Sequence, residues 1–196
     1  MSQVATLRGP RPLVLADLIP GALARDVMLI AGGAGFVGLL AQVAVPIPGT
    51  PVPITGQTLG VLLIGAAFGW RRAAATIALY AIVGLAGVPW FSHGTSGYTA
   101  SFGYIIGFFL AATAAGWLAE RGADRKVLKA LPAMLAAEVI IYAAGLPWLA
   151  VAAGYSVAET LEKGLVPFLL GDAVKALLAA GLLPAVWALM GRRGSR

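Results

Sequence analysis

Six apolar runs, with basic residues gathered in every second gap between them, constrain this 196-residue chain more than any other feature. The runs are roughly 27–45, 58–70, 73–88, 101–119, 130–152 and 166–190. A helix needs about 20 residues to cross a bilayer, within a range of about 17–25. The second and third runs fall short, so length alone leaves one broken span, two short spans or re-entrant pieces. Charge decides between them. With the N-terminus in the cytoplasm and all six runs crossing, the cytoplasmic parts hold Arg8, Arg11, Arg25, Arg71, Arg72, Arg121, Arg125, Lys126, Lys129, Arg192, Arg193 and Arg196. Those are twelve of the 14 Lys and Arg residues. Only Lys163 falls in an outside loop, and Lys175 lies within the sixth run. Positive charge on the inside is the ordinary rule for membrane proteins. If the second run did not cross, Arg71 and Arg72 would lie outside and every later loop would invert.

The expected fold class is therefore an all-α integral membrane protein with six transmembrane helices and cytoplasmic N- and C-termini. Residues 1–26 are expected as a cytosolic arm or surface helix, 27–190 as the membrane domain and 191–196 as a basic cytosolic tail. Composition agrees: 60% of residues are hydrophobic and 11% charged, against about 45–50% and about 25% in soluble domains. The net charge of +6 does not point to nucleic acid, because the basic residues form no face with interleaved aromatics. The absence of cysteine removes disulfides and thiolate metal sites. Pro10, Pro12, Pro20 and Asp17 break up any signal-peptide core.

The outside loops are chemically distinct. "PIPGTPVPITGQ" is uncharged and proline-rich, hence stiff, extended and not helical. "PWFSHGTSGYTA" mixes aromatics, small residues and hydroxyls. "GYSVAETLEKGLVP" contains Ser-x-x-Glu, a capping pattern for a short helix. The inside loops read as topological only.

Ionisable groups inside a span cost about 2.5–3.5 kcal/mol at the helix centre and usually face a cavity or one another. Asp172 and Lys175 are three residues apart, hence on one helix face. Counted from Val166, Asp172 lies roughly 9 Å along the helix, in the outer half of the bilayer. An ion pair serving packing alone is one account. A ligand site is the better one, because desolvation offsets the attraction of buried pairs. Glu138 sits nearer the cytoplasmic end, where snorkelling or pairing with Lys129 accounts for it, and Tyr142 is four residues on, within hydrogen-bonding reach. Trp90, Phe91, Tyr98 and Tyr104 cluster around the second outside loop. His93, the one histidine, has no nearby acid or thiol and makes no metal site. Ala31/Gly35 and Ala34/Gly38 give small-xxx-small spacing, suited either to internal packing or to docking another membrane subunit.

No phosphate-binding loop, G-x-S-x-G or H-E-x-x-H motif is present. An enzyme using Asp172 as acid or base would need a second catalytic group, and the sequence offers only Lys175. The chain also lacks the two matching halves of many secondary transporters.

Five stretches in order, "VPITGQTLGVLLIGAAFGWRRAA", "YAIVGLAGVPWF", "GYIIGF", "IYAAGLPWLA" and "PFLLGDAVKALLAA", resemble the BioY family, the biotin-binding S components of energy-coupling factor (ECF) vitamin transporters. The resemblance runs from about Pro46 to about Ala180. It departs at "ASFGY", where many relatives have P-T-G-G-Y and Phe102 stands in place of a glycine. The resemblance implies six helices with cytoplasmic termini, no enzymatic activity and no cofactor. It implies a bacterial cell-membrane subunit that captures biotin from outside, with a membrane-embedded ECF coupling protein and two cytosolic ATPases as partners. An S component for another vitamin, and a solitary biotin transporter acting as a homo-oligomer, are the alternatives. The Asp and Lys of the family's G-D-x-x-K motif map onto Asp172 and Lys175, and its loop contacts fall near Phe91, Ser92 and Tyr98. Biotin's ureido head offers two N–H donors and a carbonyl. Asp172 suits the donors and Lys175 the carbonyl oxygen, with the tail carboxylate as the other option for Lys175. Phe168, Trp90 and Tyr98 would wall the thiophane ring, and the first loop, with Thr55 and Gln57, would cap the site.

Overall fold

The computed structural model describes residues 14–19, 21 and 23–193. Among the described residues seven α-helices follow one another: α1 (Leu23–Gln42), α2 (Gln57–Phe68), α3 (Trp70–Leu85), α4 (Phe102–Glu120), α5 (Val127–Ala153), α6 (Val157–Gly164) and α7 (Leu169–Arg193). Four of them, α1, α4, α5 and α7, are long and apolar enough to cross a membrane. The chain is thus an all-helical, multi-pass membrane protein. α2 and α3 are shorter, at 12 and 16 residues, or roughly 18 and 24 Å.

The second and third runs form an antiparallel hairpin with a single residue between the helices. Gly69 makes the reversal at φ 79°, a backbone conformation that favours glycine. Gln57 Nε2 then donates to the Tyr80 hydroxyl at 2.8 Å, joining the start of α2 to the body of α3. The charge distribution had required such a reversal at Arg71 and Arg72.

α4 is the central helix, packed against α2, α3 and α5. Its glycines make the close approaches that small residues allow between membrane helices. A Cβ added at Gly107 would lie 2.7 Å from the Ile141 carbonyl oxygen of α5. Phe102, the departure from the family pattern, opens α4 without disturbing it. Its side chain is buried beside Phe91, Tyr98 and Trp148. Prolines 132, 147 and 184 sit inside α5 and α7, as membrane helices tolerate.

The basic gaps share one end of the bundle. There Arg72 donates to Asp17 and Asp26, each at 2.9 Å, tying α3 to α1 and to the short 3-10 turn Leu15–Leu18. The Trp70 amide donates to Glu120 Oε1 at 3.3 Å, and Trp187 of α7 donates its indole N–H to Asp124 in the turn after α4. These loops are therefore not merely topological, because they lock helix ends together. The N-terminal arm also differs from expectation. Val14 and Ala16 are buried, and α1 begins at Leu23, inside the stretch assigned to the arm. At the other end α7 runs through Arg193, into the expected tail. Arg8, Arg11 and Arg196 lie outside the described residues.

The opposite end carries the two uncharged loops, after α1 and α3, together with the charged helix α6. The first forms a two-residue antiparallel ribbon, β1 (Ala44–Val45) with β2 (Ile54–Thr55), paired Ala44 to Thr55 and Val45 to Ile54. The extended backbone is what its prolines dictate. α6 carries the expected capping box: Ser156 Oγ accepts from the Glu159 amide at 3.3 Å, and Glu159 accepts from the Ser156 amide at 2.9 Å. These bonds hold the Glu159 carboxyl below the usual carboxylate range.

Candidate functional site

Between the ribbon and the helices lies a cavity with about 560 Å³ of empty space, its mouth included. The walls come from helix starts, a loop and the middle of α5. β2 and the first turn of α2 bring Thr55, Gln57 and Thr58. The loop after α3 brings Phe91 and Ser92. One face of α4 brings Ser101, Tyr104, Ile105 and Phe108, and α5 brings Ile141 and Tyr142. The turn before α7 and its first two turns bring Phe168, Asp172 and Lys175. The floor is apolar and aromatic, with a few convergent polar groups, the usual make-up of a ligand pocket.

Asp172 is the centre of the polar network. Lys175 Nζ donates to Asp172 Oδ1 at 2.8 Å, and the Tyr142 hydroxyl donates to Asp172 Oδ2. The Asp172 side chain is 11% exposed and that of Lys175 14%, enough to present both to the cavity. Asp172 lies nearer its helix start than expected. The chain from Leu165 to Phe168 is a turn rather than helix, since Pro167 has no amide to donate. Asp172 therefore occupies the first turn of α7, where the helix dipole favours an anion.

Seven of the nine sequence-derived binding candidates line this cavity: Asp172, Lys175, Ser92, Phe91, Phe168, Gln57 and Thr55. Trp90 and Tyr98 do not. Trp90 turns its indole N–H to the Tyr80 carbonyl at 3.0 Å and packs on the Tyr80 ring, bracing the loop from behind. Tyr98 is 76% exposed, its ring against Phe102 and Trp148. The clustering of aromatics near the loop was correct, but adjacency along a loop does not reveal which ring faces inward. Gln57 is partly committed, through its bond to Tyr80.

Sequence reasoning did not assign Ser101, Tyr104, Ile105 and Phe108 to the cavity. Their spacing of i, i+3, i+4 and i+7 is one helical face, so the signal was present. Tyr104 also donates its hydroxyl to the Gly164 carbonyl at 2.7 Å, fastening α4 to the end of α6.

Glu138 contradicts expectation. It neither snorkels nor pairs with Lys129: it is 5% exposed, with both carboxyl oxygens sealed and without a hydrogen-bond partner. Tyr142, the expected partner, serves Asp172 instead. Of the small residues proposed for docking, Ala34 and Gly38 are buried within the chain. Gly38 is backed by the Trp90 ring, which a Cβ there would approach to 3.3 Å. These two are internal packing positions, whereas Ala31 is exposed and Gly35 half-buried. His93 is exposed in the loop, in the left-handed region at φ 55°. Among the described residues, no group of three or more potential metal-ligating side chains occurs.

Comparison with known proteins is consistent across methods. Residues 10–192 match the family described as "BioY family". A protein named "Biotin transporter BioY" from Rhizobium etli is 33% identical over 176 residues, covering 83% of this chain and 92% of that protein. Another of the same name, from Rhodobacter capsulatus, is 35% identical over 172 residues, covering 79% and 88%. The fold matches a crystal structure titled as the S-component for biotin from an ECF-type ABC transporter. The TM-score is 0.76 at 21% identity, over 84% of this chain and 92% of that one.

Proposed function

Because the chain belongs to the BioY family, we propose that the cavity under the β1–β2 ribbon binds biotin and that the protein mediates biotin uptake. The observation that carries this reading is the Asp172–Lys175 pair, the charged groups in a cavity whose other walls are aromatic, aliphatic and neutral polar. As a carboxylate, Asp172 accepts the ureido N–H donors in charge-assisted bonds, roughly twice as strong as neutral ones. Lys175 donates to the ureido oxygen. Phe91, Ile105, Phe108 and Phe168 surround the thiophane ring, and Thr55 and Ser92 at the mouth meet the more polar tail. The ribbon above excludes water, which strengthens each polar contact below it.

The distribution of positive charge and the Gly69 reversal support six membrane crossings with cytoplasmic termini. In this topology the cavity opens outward in a bacterial cell membrane. An ECF coupling protein and two ATPases supply the energy, in keeping with the absence of a phosphate-binding loop from the sequence. Ala31 and Gly35, on the outer side of α1, are the small residues left for contact with a membrane partner, whether coupling protein, lipid or a second copy of the chain.

Calorimetry on purified protein with biotin and a panel of other vitamins tests the assignment. Submicromolar biotin binding with no response to the others supports it. Failure of biotin to bind below micromolar concentration removes it.

A further inference from the structure

Glu138 has no role in the site as described, yet its position demands one. A buried carboxylate with neither cation nor donor is costly, and acids inside membrane helices commonly belong to proton pathways. Glu138, Tyr142 and Asp172 line one groove between α5 and α7, and Tyr142 and Asp172 are also part of the cavity wall. Tyr142 lies one helical turn beyond Glu138 on the same face, and Asp172 and Lys175 are the charged residues that α7 brings nearest to it. Tyr104 of α4 packs edge-on against Tyr142. No titratable residue occurs in α2, and Lys129, in the first turn of α5, lies more than two turns away.

We propose that Glu138 is a proton-binding site coupled to ligand binding, carrying a proton while the cavity is empty and releasing it when the cavity fills. This inference rests on biotin binding at Asp172. In the empty cavity both Asp172 oxygens are occupied, by Lys175 and Tyr142. Glu138 has no donor and is neutral. A ligand N–H that takes the Tyr142 position on Asp172 Oδ2 frees the tyrosine hydroxyl. One turn away on its own helix is the Glu138 carboxyl, and a donor there stabilises the ionised form. The Glu138 O–H proton leaves to solvent, while Tyr142 keeps its proton and changes only its acceptor.

Calorimetric titration of the full-length protein with biotin, in buffers of differing ionisation enthalpy, counts the protons. Release of up to one proton per biotin is expected, with affinity rising by up to tenfold per pH unit where Glu138 titrates. Glu138→Gln keeps the neutral shape and is expected to bind biotin without proton release and without that slope. Infrared difference spectra of the unaltered protein need no variant: biotin is expected to remove a protonated-carboxyl C=O band. Equal proton counts in wild type and Glu138→Gln, or an unchanged carboxyl band, overturn the coupling while biotin binding stands. Absence of biotin binding overturns the underlying assignment and this inference with it.

Discussion

Tyr142 and Asp172 join the two longest helices, α5 and α7, by a hydroxyl-to-carboxylate hydrogen bond in the wall of the cavity. The bond fixes which carboxylate oxygen faces Lys175 and sets the angle at which the carboxylate meets the cavity.

Replacing Asp172 with Asn removes the charge but keeps the shape. Hydrogen bonds to charged groups contribute about 1.5–3 kcal/mol. Biotin affinity is therefore expected to fall roughly 10- to 100-fold, as measured by calorimetry. An unchanged affinity would move the ligand away from α7.

Tyr142→Phe leaves Asp172 with Lys175 alone. Because the ligand displaces this hydroxyl from Asp172, its removal is expected to change affinity by less than about threefold, under the roughly 0.5–1.5 kcal/mol of an ordinary hydrogen bond. Equilibrium binding of labelled biotin to the variant reads this directly.

Tyr98→Ala separates the loop's two aromatic faces. Because the ring is exposed and outside the cavity, affinity is expected to change less than twofold. Phe91→Ala removes a buried wall residue and is expected to cost both affinity and about 3–5 kcal/mol of stability. A larger binding defect in Tyr98→Ala than in Phe91→Ala would show that the loop rearranges around the ligand.

Gly107→Val probes the α4–α5 seam. The added Cβ meets backbone atoms of Ile141 at 2.7–2.8 Å, which a flexible side chain cannot relieve. A loss of about 1–3 kcal/mol is expected, read as a lower thermal midpoint in detergent.

Asp124, in the turn outside the spans, has its carboxyl pushed above the ordinary value by burial. A folded state with the higher affinity for the proton gains stability as pH falls through the raised value, until the unfolded chain also protonates. The thermal midpoint is expected to rise across that acidic window relative to Asp124→Asn, which lacks the titration. An identical pH profile in the two proteins would exclude Asp124 as the source.

The architecture was legible in the sequence wherever one physical constraint acted alone. Basic residues cannot remain in lipid, so Arg71 and Arg72 required a reversal, which Gly69 makes. Prolines 46–53 ruled out a helix and produced an extended ribbon. Asp172 and Lys175 were legible as a pair because helical spacing fixes their common face. Where several partners competed, spacing was not enough. Tyr142 is within reach of Glu138 along α5, but the carboxylate from α7, distant in sequence, accepts its hydrogen bond. Ala34 and Gly38 had the spacing of a docking face, yet Trp90 from a later loop covers Gly38.

The cavity has no wall that is local in sequence. Its contributors run from Val52 to Lys175, and its charged pair belongs to α7, far along the chain from the ribbon and α2. Without α7 seated against α5, the cavity lacks both of its charged groups. Occupancy of the cavity therefore reports that α7 is docked on the rest of the bundle.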